Sequence, residues 1–327
     1  MKKIIYSPGE PSGIGPDLII KLCSSKSWEA LSIAIVIIGD SKLFIDRAKI
    51  LKKKVKTIEV DSFSKIKKNE RNVLQIIKIS TCVKTFAGKL YKSNAKYVLE
   101  NLKFSVQLAL DNQKTAIVTG PISKENIISI DNSFTGHTEF IKEITKSNDV
   151  LMMLASNQLR VALATTHIPL KKVSSSITKD LIINKVKILD RDLKNKFGIK
   201  RPNIKILGLN PHAGENGKIG TEEVEHIKPA VLELRKQNIN VSMPLSADTA
   251  FSSKILKETD AYLGMYHDQV LPVLKTLSFG NSINITLGVP IIRTSVDHGV
   301  ALDIAGTNKS DTSSLMLAIK TAKKLIK

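Results

Sequence analysis

Short runs of β-branched and aliphatic residues alternate with longer amphipathic stretches along the 327-residue chain, and this alternation constrains the fold more than any other feature. Strands that alternate with helices pair in parallel, because each crossover returns the chain to the same end of the sheet. The pattern predicts strands over residues 3–7, 33–39, 116–119, 160–165, 204–209, 261–265 and 283–286. Apolar positions at helical spacing predict helices over 96–110, 179–197, 222–237 and 313–327. Pro16-Asp17 opens a further helix, with a proline at its first position and an acid in its first turn. No repeat, low-complexity tract or Pro-, Gly- or Ser-rich linker is present, so a domain boundary is expected to be a crossover of the fold and not a tether.

Composition narrows the function classes. Hydrophobic residues at 42% and charged residues at 24% are ordinary for a globular protein and exclude a disordered chain. The longest apolar run, 33–38, is far short of the roughly 20 residues needed to cross a bilayer, so no membrane span is expected. Met1-Lys2-Lys3-Ile4-Ile5-Tyr6 runs directly into Pro8 and Gly9 and reads as a first strand, not a signal peptide. Cys23 and Cys82 make neither a disulfide framework nor a metal spacing, which fits a reducing cytoplasm. The net charge of +20 raises the possibility of a nucleic-acid partner. The lysines are spread along the whole chain, however, and the one dense cluster, at 52–54 and 65–68, has only Phe63 as an interleaved aromatic. A solvated surface is the expected role of that cluster, and no nucleic acid is expected.

Polar residues with chemical potential recur just after the predicted strands. Gly120-Pro121-Ile122-Ser123 follows one, His167-Ile168-Pro169 a second, Asn210-Pro211-His212-Ala213-Gly214-Glu215 a third, and His267-Asp268-Gln269 a fourth. Ligands of open α/β sheets bind outside the carboxyl ends of the strands. His167, His212 and His267 thus occupy equivalent stations, where three imidazoles and an open coordination position describe a catalytic site for a divalent metal. A histidine taken singly is more often structural, and the long separations match no local ligand signature. Asp268 and Asp248 fit the roles of ligand, partner of a ligand or proton acceptor, and equally that of a helix cap.

Other segments carry weaker signals. The glycine-rich opening Gly9–Asp17 fails as a dinucleotide fingerprint, because the third glycine would fall at Leu18, yet it still describes a tight turn ahead of a helix. Gly136-His137-Thr138 sets polar residues beside a glycine that permits close backbone approach. The 284–295 stretch contains Asn284 and ends near Arg293, suited to bidentate phosphate or carboxylate binding. His226 falls within a predicted helix and reads as a surface residue.

Taken together these segments resemble the 4-hydroxythreonine-4-phosphate dehydrogenase family over essentially the whole chain. The resemblance is carried by Pro8–Asp17, Thr119-Gly120-Pro121 and residues 134–140, 162–169, 208–214, 266–275 and 284–299, in order and with near-identical spacing. It implies the two-domain α/β/α fold of the isocitrate and isopropylmalate dehydrogenase type, with mainly parallel sheets and the active site in the interdomain cleft. The expected subdomains are 1–120 with 285–327, and 121–284. It also implies a homodimer with the site near the subunit interface, NAD or NADP as oxidant, and one divalent ion (Zn²⁺, Mg²⁺ or Co²⁺) on His167, His212 and His267. His137, Thr138, Lys275, Asn284 and Arg293 match the family's substrate-contacting positions, with Lys275, Asp268 and Asp248 as catalytic candidates.

The implied reaction is oxidation of 4-phosphooxy-L-threonine to 2-amino-3-oxo-4-phosphooxybutanoate, which decarboxylates to 3-amino-2-oxopropyl phosphate, in vitamin B6 biosynthesis. Ser123, Ala95 and Val270 depart from residues common in relatives, and none is a proposed metal ligand. They leave open the alternative of a paralogous dehydrogenase for a four-carbon sugar-acid phosphate such as threonate or erythronate 4-phosphate.

Overall fold

The computed structural model describes residues 1–278 and 281–327. Its strands are β1 (Lys3–Ser7), β2 (Ala34–Ile38), β3 (Lys56–Glu59), β4 (Val73–Ile77), β5 (Thr115–Thr119), β6 (Leu151–Ala155), β7 (Arg160–Leu163), β8 (Ile204–Ile206), β9 (Ala261–Gly264), β10 (Ile283–Leu287) and β11 (Arg293–Val296). The chain divides into two compact units, Met1–Ser147 with Val289–Lys327, and Asn148–Gly288. Among the described residues no helix is long and apolar enough to cross a membrane.

In the first unit the strand order is β3-β4-β2-β1-β5-β11, and every pairing is parallel. The central strands read as continuous apolar runs because they are covered on both faces: all five residues of Ala34–Ile38 are buried, as are all five of Thr115–Thr119. The helices Gly15–Cys23, Ala95–Asp111 and Ser313–Leu325 each bury an apolar stripe in this unit. Residues 121–147, expected with the second unit, belong to the first. The reason is packing: Ile127 and Phe134 join Tyr97 and Val98 of the Ala95–Asp111 helix in one core cluster, with Phe140 against it.

The second unit has the order β10-β6-β7-β9-β8. Its β7, β9 and β8 run parallel, while β6 is antiparallel to both β7 and β10. Its core gathers Leu154, Val161, Leu163, Leu207, Tyr262, Val270 and Leu274. One expected helix is broken. Residues 222–237 form a π-helical turn, Glu223–Ile227, followed by the α-helix Lys228–Lys236. Pro229 has no N–H to give the carbonyl of Glu225, so a regular ladder cannot run through this point.

Candidate active site

Each unit carries part of the candidate set. In the second unit, His167, His212 and His267 follow β7, β8 and β9 respectively. The strand order β7-β9-β8 makes His267 the middle station, with His167 and His212 to either side. Neighbouring strands lie about 4.8 Å apart, so the outer stations are separated by about two such spacings.

Backbone and side-chain hydrogen bonds beyond the strands join these stations. Thr165 donates both its N–H (3.1 Å) and its hydroxyl (2.7 Å) to the carbonyl of Met265, tying the His167 segment to the His267 segment. Gln269 then ties the His267 segment to the His212 segment, accepting from Met265 N and donating to Gly208 O.

The rings of His167 and His267 lie 5.6 Å apart between centroids and are tilted by 47°. Two imidazoles on one tetrahedral ion, at metal–nitrogen distances of about 2.0–2.1 Å, place their centroids about 5 Å apart. The two rings are thus spaced closely enough for both to reach one ion. His267 Nδ1 lies 2.6 Å from Asp268 Oδ1. With the proton on Nδ1 donated to that carboxylate, Nε2 keeps its lone pair, which is the arrangement that orients a metal-binding imidazole.

His212 lines an open pocket of about 490 Å³ with Ser246, Asp248, Tyr266, Asp268 and Gln269. The Asp248 carboxylate is held below the usual carboxylate range, chiefly by the Ser246 hydroxyl, with the neighbouring His212 contributing. Asp268 thus faces the His212 pocket and also holds His267. The donor chemistry and the His167–His267 geometry fit a divalent ion, although among the described residues no three His, Cys, Asp or Glu side chains lie close enough to close a metal site.

The backbone that presents His212 is unusual. His212, Ala213, Gly214, Glu215 and Asn216 are consecutive left-handed residues, with φ of 53°, 51°, 77°, 41° and 58°. Left-handed backbone costs roughly 1–2 kcal/mol for each ordinary L-residue. Glycine avoids that cost at Gly214 alone. Such a run survives only where surrounding structure imposes it, and it concentrates at functional sites. Of the remaining second-unit candidates, Lys275 is exposed on the helix His267–Ser278. Asn284, on β10, has an enclosed Oδ1 without a hydrogen-bond partner among the described residues, which marks it as an acceptor in need of a donor.

In the first unit, Arg293 is 2% exposed at the start of β11. Its Nε and Nη2 donate to Thr119 Oγ1 at 3.2 and 2.7 Å, so the guanidinium is fixed at the carboxyl end of β5. Burial lowers its pKa to about 10, against a raising influence from Glu139, and it stays cationic at neutral pH. His137 opens the helix His137–Ile144, with Thr138 next in its first turn. Burial, Arg293 and Lys124 together hold the His137 pKa well below its ordinary value, so its imidazole is neutral. A neutral hydrogen-bonding ring beside two cations suits an anionic ligand. Thr119, Lys124, Glu139 and Gln269 lie in segments that the sequence marks without giving these residues a role, and Glu223 is a part of this chemistry that no sequence signal singled out.

The model for "Pyridoxal phosphate biosynthetic protein PdxA" matches residues 31–322. The chain belongs to the PdxA family. A relative from Pseudoalteromonas translucida (strain TAC 125), named 4-hydroxythreonine-4-phosphate dehydrogenase, is 47% identical over 99% of this chain and 97% of its own. Among solved structures of PdxA relatives, the 4-hydroxythreonine-4-phosphate dehydrogenase of Klebsiella pneumoniae has a TM-score of 0.91 at 30% identity and covers 100% of both chains. That of Burkholderia phymatum has a TM-score of 0.86 at 32% identity and covers 99% of this chain and 98% of its own. The mainly parallel α/β architecture expected from the sequence is the PdxA architecture.

Proposed function

We propose that the chain oxidises 4-phosphooxy-L-threonine with NAD⁺ or NADP⁺ to 2-amino-3-oxo-4-phosphooxybutanoate, which loses carbon dioxide to give 3-amino-2-oxopropyl phosphate for pyridoxal phosphate formation. The observation that carries this reading is the full-length match to relatives named for that activity, the first at 47% identity over 99% of the chain. Family membership, the buried cationic arginine and the three histidine stations are all consistent with a phosphorylated alcohol as substrate.

His167, His212 and His267 would hold the divalent ion, Zn²⁺, Co²⁺ or Mg²⁺. When bound, it supplies a Lewis acid that lowers the pKa of the substrate hydroxyl and favours loss of carbon dioxide from the keto acid. Asp268 fixes the His267 tautomer through its 2.6 Å contact with Nδ1. Asp268, or Asp248 beside His212, would accept the hydroxyl proton as hydride leaves for the nicotinamide. Arg293, already cationic and held against Thr119, answers the phosphate charge without reorganising. His137 and Thr138 would add hydrogen bonds, Asn284 would offer its enclosed amide oxygen to the ammonium group, and Lys275 would supply a further cation. A homodimer in the cytoplasm completes the reading.

The test is turnover of 4-phosphooxy-L-threonine by wild type and His212→Ala in metal-defined buffer. The expected result is loss of most activity in the variant with its fold retained. Equal turnover in both would overturn the metal assignment.

A further inference from the structure

Glu223 is 0% exposed and begins the π-helical turn Glu223–Ile227, yet its carboxylate points at the loop that leads into His212. Oε1 accepts from the backbone N–H of Leu209 at 2.7 Å and of Asn210 at 2.8 Å, and Oε2 accepts from Asn210 Nδ2 at 2.9 Å. Charged groups are rarely buried without such compensation, and hydrogen bonds to an ionised acceptor are about twice as strong as neutral ones.

The carboxylate also fills the space beneath the left-handed turn. A Cβ added to Gly214, whose φ is +77°, would lie 2.6 Å from Glu223 Oε2. One added to Gly208 would lie 3.0 Å from Oε1 and 2.8 Å from the Cα of Ala213. Glycines at 208 and 214 thus admit the carboxylate from both sides of His212. Asn210, whose side chain Glu223 holds, accepts from Ala213 N at 3.1 Å through its own carbonyl, which closes the turn.

Nothing local in Pro211-His212-Ala213-Gly214-Glu215-Asn216 favours five successive left-handed residues, since only glycine and, less strongly, asparagine enter that region readily. The bias therefore comes from outside the turn. A carboxylate that orients the two peptide N–H groups entering it, and packs against its glycine, is placed to supply that bias.

We infer that Glu223 is a positioning residue for metal capture: it fixes the left-handed turn that presents His212, and so sets the affinity of the histidine stations for a divalent ion. This rests on the reading of His167, His212 and His267 as metal ligands.

The experiment titrates metal-stripped full-length protein with Co²⁺, followed by its visible absorption bands. Wild type, Glu223→Gln, Gly214→Ala and His212→Ala are compared, and each metal-free protein is melted by circular dichroism. Wild type should bind Co²⁺ and His212→Ala should lose most of that binding. Glu223→Gln keeps the side chain's size but removes its charge, and Gly214→Ala pushes a methyl into Oε2. Both should bind Co²⁺ roughly 10–100-fold more weakly while still melting cooperatively, the size of effect expected when a group supporting a ligand is lost. A purely structural role would lower the melting temperature and leave Co²⁺ affinity of the folded protein unchanged.

If wild type and His212→Ala bind Co²⁺ alike, the metal reading fails and this inference falls with it. If His212→Ala loses binding while Glu223→Gln and Gly214→Ala bind like wild type, the metal reading stands and the role of Glu223 is overturned. Should Glu223→Gln not fold, Glu223→Asp, which keeps the charge but shortens its reach to Leu209 and Asn210, decides by the same criterion.

Discussion

Gln269 joins two candidate ligand segments to each other: its Nε2 donates to Gly208 O at 2.6 Å and its Oε1 accepts from Met265 N at 2.7 Å. Gly208 leads to His212 and Met265 to His267, so one amide holds two of the histidine segments in register. Gln269→Leu removes both bonds while keeping an apolar stem. It should destabilise the protein by about 1–3 kcal/mol for each backbone group left unpaired, read as a lower urea midpoint at unchanged m-value. An unchanged midpoint would show that water replaces the amide at no cost.

Asp268 should matter through His267. Asp268→Asn keeps the size of the side chain but removes the carboxylate that accepts from Nδ1. Zn²⁺ affinity measured by chelator competition is expected to fall about 10–100-fold while the circular dichroism spectrum stays as in wild type. Wild-type affinity in the variant would disconnect Asp268 from metal binding.

His137 makes a pH prediction with a definite sign. Burial, with Arg293 and Lys124 adding to it, holds its folded pKa well below the ordinary 6.5, while Glu139 acts on Arg293 in the opposite sense. Above that ordinary value both folded and unfolded forms are neutral, and the residue contributes no pH dependence. As pH falls below it, the unfolded chain takes up a proton that the folded protein refuses, so stability is lost. The melting temperature of wild type should therefore drop more steeply between about pH 6.5 and 5 than that of His137→Asn. Parallel curves would contradict the depressed pKa.

Arg293→Lys tests the proposed anion-binding role of the guanidinium. A lysine keeps the charge but not the planar fork that places Nε and Nη2 on Thr119 Oγ1. KM for the phosphorylated substrate should rise by roughly tenfold or more, since one hydrogen bond to a charged group is worth about 1.5–3 kcal/mol. A change in kcat alone would place Arg293 away from ground-state phosphate binding.

The fold was largely legible where period and composition agreed. Ala34–Ile38 and Thr115–Thr119 announce themselves as buried apolar runs, and Ala95–Asp111 by its helical spacing. Four strands carried no such signal. Lys56–Glu59 is a largely exposed edge with almost no apolar content, and Arg293–Val296 is a buried strand made mostly of polar residues. Leu151–Ala155 is built of Leu, Met and Ala, residues that favour helices locally and become a strand only through its neighbours. Val73–Ile77 carries Gln75 in its middle, which is buried because its amide pairs with both backbone groups of Lys67.

In the candidate site, the stations of His167, His212 and His267 after parallel strands could be read from the residues that end those strands. The left-handed turn could not, because four of its five residues have no preference strong enough to signal it. Glu223 was hidden for a related reason. An acid at the head of an amphipathic stretch reads as a helix start, and only the folded chain shows its carboxylate turned toward Leu209 and Asn210.

The most direct test of the central claim is NADH formation from 4-phosphooxy-L-threonine and NAD⁺ by metal-stripped protein, before and after adding Zn²⁺, Co²⁺ or Mg²⁺. NADH that appears only when a divalent ion is restored is the predicted result, since it requires both the dehydrogenase activity and the histidine-held metal. Folded protein that forms no NADH with any of the three ions, or forms it equally well without them, would contradict the account.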